Sequence, residues 1–294
     1  MAEPIQTKIQ RYYALIVPTN NQSGPNTRYK SWEWCHDAFL KQRQSQKPDI
    51  DLLSLHLAFY LASWGMYRGS SFLLQMDYKA HINAVKIILD KSYSDLWNYD
   101  PSSHNAISIV DANDLIFGSC KGVYWKIKKS SPPATPTDTL VTKILMGTFA
   151  CIPAFDRFLK NGIVQCIKAK SNGINSKIGG YTLSSSIEKI NNGNATGTDT
   201  FKALATFAKN HHQSFMLSGA SYPLMKCVDM YFWQVGFEMN MAQSLINKKN
   251  SFGTKKSIYQ RATNLGLVKQ GSNPTSLTQK DFLRVSGDIK NLNI

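Results

Sequence analysis

The run Cys151-Ile152-Pro153-Ala154-Phe155-Asp156-Arg157-Phe158 places one carboxylate just inside a helix that a proline opens. Proline suits the first turn of a helix because its missing N–H would have no partner there. An acid in that turn faces the positive end of the helix dipole, which favours its charged form. In a chain of net charge +15, Asp156 is the candidate catalytic group. It could set negative charge beside a nucleic-acid substrate that the cationic surface attracts. The plain structural alternative is a capping aspartate beside its neighbour Arg157. A second isolated acid, Asp229, lies in the apolar stretch Cys227-Val228-Asp229-Met230-Tyr231. It is either the buried partner of Lys226 or of an arginine elsewhere, or a second carboxylate near Asp156.

Trp64, Tyr67 and Trp125 are candidate aromatics for holding or wedging a base, and Arg68 is a candidate phosphate or orphan-base contact. Ordinary packing is the alternative for each. His211 and His212 are adjacent, so on a helix they point in different directions, and neither has an acidic or histidine partner three or four residues away. Ser184-Ser185-Ser186 and Gly179-Gly180 match no phosphate-binding or dinucleotide fingerprint. There is no Gly-x-Ser-x-Gly elbow and no cysteine in a nucleophile signature. Neither a metal nor a cofactor is expected.

The charge is uneven. Residues 1–150 hold 16 Lys and Arg against 12 Asp and Glu, whereas residues 151–294 hold 18 against 7. Residues 248–294 alone carry nine basic side chains, among them Lys248, Lys249, Lys255, Lys256 and Arg261, against Asp281 and Asp288. Such a half attracts polyanions, through counterion release where the partner is DNA. An acidic lipid or an acidic protein is the alternative partner. With 294 residues, 43% apolar and 11% aromatic, the chain can bury a large core and is not mainly disordered. Five scattered cysteines, none in a Cys-x-x-Cys pair, argue against a disulfide framework or structural zinc and for a reducing cytosol. No basic-then-apolar leader opens the chain, and the run Leu52 to Trp64 is too short and too often interrupted to span a bilayer. A cytoplasmic protein with no membrane partner is expected; the oligomeric state is not readable.

The elements that must position these residues read as mostly α, with long loops. Helices are predicted over Trp32 to Gln44, from Pro48 and an acidic cap through Leu61, over Tyr78 to Lys91, and over Thr137 to Ala150. Further helices are predicted from Pro153 to about Ile167, from Asp199 to Met216 and from Pro223 to Asn247. The Leu52–Leu61 helix is apolar nearly all round and is expected to be central and buried. Gly65 and Gly69 bracket a turn, Val123 to Ile127 is a short strand or helical turn, and Ser184 to Ile190 a short helix within a Gly/Asn/Ser-rich region. Marginal helices are expected over Lys255 to Leu265 and Thr278 to Val285. The expected organisation is a helical core over 1–247, with lobes 1–135 and 136–247 flanking a cleft, and a basic extension over 248–294.

The segment Leu140-Val141-Thr142-Lys143-Ile144-Leu145-Met146-Gly147 … Pro153-Ala154-Phe155-Asp156-Arg157-Phe158 resembles a piece of the helix-hairpin-helix DNA glycosylase superfamily. There, a helix leads to a loop whose Pro-x-Asp opens the next helix. The resemblance covers about fifteen residues specifically. It implies a bundle of that type, Asp156 as the catalytic aspartate, Arg157 directed to the DNA backbone, and the block Leu52 to Ile88 framing the base pocket. Lys143 stands nearer Asp156 in sequence than the family's nucleophilic lysine does, so it is carried over as a DNA-contacting residue rather than as a lyase group. Ser131-Pro132-Pro133-Ala134-Thr135-Pro136 stands where the family's glycine-rich hairpin belongs, and no four-cysteine cluster follows. The expected activity is release of a damaged or modified base by N-glycosidic hydrolysis, in repair or in defence against foreign DNA. The alternatives are a non-catalytic nucleic-acid-binding module, or a subunit of a larger complex whose basic tail docks an acidic protein.

Overall fold

The computed structural model describes residues 3–14, 16, 27–69, 71–103, 116, 118–124, 126, 136–185, 196–216 and 222–247. The chain is mostly α. Its helices are α1 (Ile5–Ala14), α2 (Ser31–Gln42), α3 (Ile50–Ser63), α4 (Ile82–Ile88), α5 (Asp138–Thr148), α6 (Arg157–Ala169), α7 (Thr196–Asn210), α8 (His212–Met216) and α9 (Leu224–Asn247). A two-residue hairpin pairs β1 (Lys177–Ile178) with β2 (Tyr181–Thr182). Its turn residues Gly179 and Gly180 both have positive φ, +58° and +86°, the backbone that matches strand twist and that side chains resist.

The acidic start of α3 is as expected: Asp49 accepts from the N–H of Leu52 at 2.9 Å, satisfying a donor that the helix leaves over. The helix is not buried all round, however. Leu53, Leu57, Tyr60 and Leu61 are sealed, whereas Leu52, Leu55 and Phe59 are 42, 50 and 59% exposed. Only the face toward α2, α4 and α5 is covered. The helix expected over Tyr78 to Lys91 is interrupted. Asp77 caps a 3-10 turn (Tyr78–His81), α4 follows, and Asp90 caps a second 3-10 segment (Lys91–Asn98). Short polar side chains that bond nearby N–H groups restart the backbone in this way. Residues 118–124 are helical rather than a strand, and the helix expected to reach Met216 breaks at His211 into α7 and α8. The short helix expected over Ser184 to Ile190 lies mostly outside the described residues, and the helices expected over Lys255 to Leu265 and Thr278 to Val285 lie wholly outside them.

Unforeseen in the sequence is α1. Its Ile5, Ile9 and Tyr12 are buried at helical spacing, and its outer edge is tied to α9 by Lys8 and Arg11, which both pair with Glu238. Glu3 joins the same network, 2.6 Å from each of the two cations.

The backbones of α6 and α9 come into direct contact where the two helices cross. A methyl group placed on Gly162 would overlap the carbonyl oxygen of Phe232, and one on Gly236 would overlap that of Phe158. Two helix interiors carry glycine, which is unfavourable locally, because the backbones touch. Phe158 and Phe237 close around Trp233 beside the crossing, with ring centroids 5.1 and 4.9 Å away. Either Gly162→Ala or Gly236→Ala should therefore destabilise the fold by about 2–3 kcal/mol, since the obstacle is backbone that cannot change rotamer. Urea unfolding is the measurement, and an exposed glycine substitution such as Gly173→Asn serves as the comparison.

Candidate active site

Three side-chain bonds to the backbone shape the loop between α5 and α6. Thr142 accepts from the N–H of Phe155 at 2.9 Å, Thr139 donates to the carbonyl of Phe155 at 2.8 Å, and Asp229 accepts from the N–H of Ala154 at 2.9 Å. With its polar groups satisfied outside a helix, the loop stays non-helical through Pro153. Helix α6 therefore begins at Arg157 and not at Pro153, and Asp156 is its N-cap rather than a first-turn residue. Ala150, at the end of α5, has φ +56°, a left-handed backbone that usually falls to glycine and costs about 1–2 kcal/mol elsewhere. Helix α2 holds the same end of α5: Trp32 donates to the carbonyl of Met146 at 2.8 Å, and the His36 ring bonds the carbonyl of Thr148 at 2.6 Å.

Both oxygens of Asp156 are engaged. Oδ1 accepts from the N–H groups of Phe158 and Leu159, at 2.9 and 3.1 Å. Oδ2 accepts from the Lys143 ammonium at 2.9 Å. The carboxylate thus faces two helix N-terminal donors and a cation. The Asp156 side chain is 13% exposed and that of Lys143 only 3%. The Lys143 ammonium also sits 4.6 Å from the centroid of Trp64.

A second pair lies beside the first. On α9, Lys226 and Asp229 are 3.0 Å apart, with side-chain exposures of 3 and 6%. Lys226 also donates to the Tyr12 hydroxyl at 3.4 Å and lies 5.0 Å from the Trp32 ring. Lys226, Asp229 and Trp233 share one helical face, and with Tyr60, Trp64 and the first pair they line a narrow crevice with no room for a water molecule. Burial, and then the charge of Asp229, push the Tyr60 hydroxyl well above its ordinary pKa, so it stays a neutral phenol. The indole N–H groups of Trp64 and Trp233 are buried without an acceptor, and each such orphan costs about 1–3 kcal/mol.

Asp156, Lys143 and Trp64 are therefore brought together. Tyr67 is not part of the recess: its hydroxyl bonds His81 Nε2 at 2.6 Å, and Nδ1 of the same ring bonds the Tyr124 hydroxyl at 2.6 Å. Arg68 is exposed, with its guanidinium folded against Gly65. Arg157 is exposed over the ring of Phe158. Trp125, Lys248, Lys249, Lys255, Lys256 and Arg261 lie outside the described residues. Asp229 fulfils both alternatives open in the sequence, as partner of Lys226 and as second carboxylate at the recess. Lys226 and Trp233 as lining groups, and Arg28, whose guanidinium lies 5.6 Å from the Trp64 ring, were not foreseen. The polar pair at i, i+3 within an otherwise apolar helix was the available signal for the first.

Among the described residues no group of three or more His, Cys, Asp or Glu could hold a metal, and no helix is long and apolar enough to cross a membrane. All five cysteines are buried and none is in a disulfide. Burial pushes every thiol up, to about 12 for Cys120, Cys166 and Cys227, so none presents a thiolate. No family model, curated protein sequence or solved structure matches the chain.

Two predictions follow from these contacts. Asp229→Asn should leave the Lys226 ammonium buried without a counter-charge and cost about 3–5 kcal/mol. The double variant Lys226→Met/Asp229→Asn should recover most of that loss; chemical denaturation of the four-member cycle reads both. His81 is held neutral by burial, its pKa lowered to about 4 from an ordinary 6.5. The unfolded chain therefore takes up this proton first as pH falls. The contribution is complete above pH 6.5 and is lost toward pH 4, amounting to about 3 kcal/mol. The stability difference between wild type and His81→Gln, followed from pH 7.5 to 4.5, should narrow by about 2.5 kcal/mol, most of that amount.

Proposed function

We propose that this chain is a DNA-binding protein that releases a base from DNA by N-glycosidic hydrolysis, with Asp156 as the central group. The supporting observation is the Asp156 carboxylate, fixed at a helix N-terminus beside Lys143 in a crevice walled by Trp64 and Trp233. In that reaction water adds at the sugar C1′ and loses a proton. The bond to the base nitrogen breaks, and the base leaves with the electron pair and takes up a proton. The sugar carries positive charge at the transition state, and a fixed carboxylate in a water-poor site stabilises it. The target base leaves the stack, and aromatic faces receive it. Cationic side chains, Arg28 and Arg157 among them, supply the attraction to phosphate. A bundle of the helix-hairpin-helix glycosylase type is the scaffold we assign to it. The competing reading is a nucleic-acid-binding module without catalysis, supported by the two capping bonds that already occupy Asp156 Oδ1.

Titration against salt, with duplex and single-stranded DNA, tests the binding, and affinity should fall steeply as salt rises. Alkali cleavage of treated DNA tests base release. Asp156→Asn keeps a good N-cap but leaves Lys143 buried and unpaired, so Lys143→Met/Asp156→Asn is measured beside it. Both variants should bind DNA near normally and lose at least about 100-fold in base release. Turnover retained in both removes Asp156 from the mechanism, and no DNA binding at moderate salt removes the reading itself.

A further inference from the structure

The outward face of α3 lacks what ordinarily keeps a half-exposed helix in water. Leu52, Leu55, Phe59 and Ala62 are exposed, and no lysine, arginine, aspartate or glutamate occurs between Leu52 and Tyr67. A surface helix normally turns polar and charged residues outward, as α6 does with Arg157, Asn161 and Lys168. The four apolar residues follow one another at steps of three, four and three, the spacing of the seam between paired helices. The two ends of this face carry opposite charge. At the start of α3 stands Asp51, exposed and fixed by a bond from the Tyr78 hydroxyl to its Oδ2 at 2.8 Å. At the other end, the exposed Arg28 donates to the carbonyl of Ser63 at 3.1 Å. The exposed Arg68 lies there too, its guanidinium against Gly65.

We propose that this face of α3 docks a second copy of the same chain, with the two α3 helices antiparallel. A twofold axis at the level of Leu57 sets Leu55 of each copy against Phe59 of the other, and Leu52 against Ala62, so that a large side chain meets a small one at the ends. The same operation brings Asp51 of one copy to the Ser63 end of the other, where Arg28 and Arg68 stand. One surface thus supplies both halves of the charge match, as an interface between identical chains requires. A parallel pair would instead set Asp51 against Asp51 and the arginines against each other. The exposed charges fix orientation more than they add affinity, and burial of the seam supplies the attraction. DNA is a poor occupant, because the seam carries no cation to meet phosphate. The seam is short, so the dimer stands at the weak end of specific interfaces and forms at micromolar rather than nanomolar concentrations. The pairing does not depend on the reaction assigned to Asp156.

Sedimentation equilibrium of the full chain tests the pairing. The apparent mass should rise from 33.0 kDa toward twice that value as concentration increases through the micromolar range. Leu55→Lys/Phe59→Lys should stay at the mass of one chain. Both positions are exposed, so the fold should persist, which the far-ultraviolet circular dichroism checks. Should that variant fail to fold, Ala62→Lys sets a charge in the same seam and is read in the same way. Orientation is read by mild oxidation. All five native cysteines are buried, so Leu55→Cys and Phe59→Cys each offer one accessible thiol. Chains of the two variants, mixed, should cross-link to each other several-fold faster than either does to itself, because only the unlike pair comes within disulfide reach. A wild-type mass that stays at one chain overturns the proposal, as does a dimer that survives the lysine substitutions. Faster cross-linking of either variant with itself overturns the antiparallel arrangement.

Discussion

The backbone contact between α6 and α9 at Gly162 and Gly236 governs the rest of the site. Helices separated by ordinary side chains lie 8–10 Å apart, and at that distance α9 would not reach the loop that precedes α6. With two glycines facing each other, the N-terminal half of α9 comes close enough for Asp229 to take the N–H of Ala154 directly. The same approach wedges Trp233 between Phe158 and Phe237. A local sacrifice in helix propensity at two positions thus sets the distance between the carboxylate at one helix start and the charged pair on the other helix.

Charge follows from that geometry. Four ionised groups lie within one recess, two of each sign, and three of the four side chains are at most 6% exposed. Burying ions costs several kcal/mol each, and well-packed apolar residues of similar volume commonly do as well or better. Stability alone therefore gives no reason for the cluster. Its pairing is nevertheless complete: each ammonium has its carboxylate, each carboxylate oxygen has a donor, and Lys226 has the faces of Tyr12 and Trp32 as further partners. The result is a polar set held in fixed orientation, which is the property that a site needs and a core does not.

The parts legible in the sequence were those whose signals are local. Asp49 before α3, Thr137 before α5 and the apolar spacing of α9 each carry a short-range cause and appear where expected. Asp156 was visible because proline, aspartate and a following apolar run stand together. The start of α6 was misplaced for a related reason. The rule that puts proline in the first turn is local, and it was overridden by bonds from Thr139, Thr142 and Asp229, the last 75 residues away. Helix α1 was missed because ten residues with few apolar positions read as polar chain; its burial comes from α9, far along the sequence. Lys226 and Trp233 were hidden similarly. Both look like core or surface until the glycine crossing brings them to the N-terminus of α6.

Two separate observations converge on the recess, and their independence gives them force. One is electrostatic: a carboxylate lies between helix N–H donors and an ammonium where it meets little solvent, and a field in such a place is stronger than at the surface. The other is a matter of counting: the indole N–H groups of two lining residues, Trp64 and Trp233, are buried without a hydrogen-bond partner. A purely structural cluster explains neither, since it would gain by exchanging the charges for apolar groups and the indoles for phenyl rings.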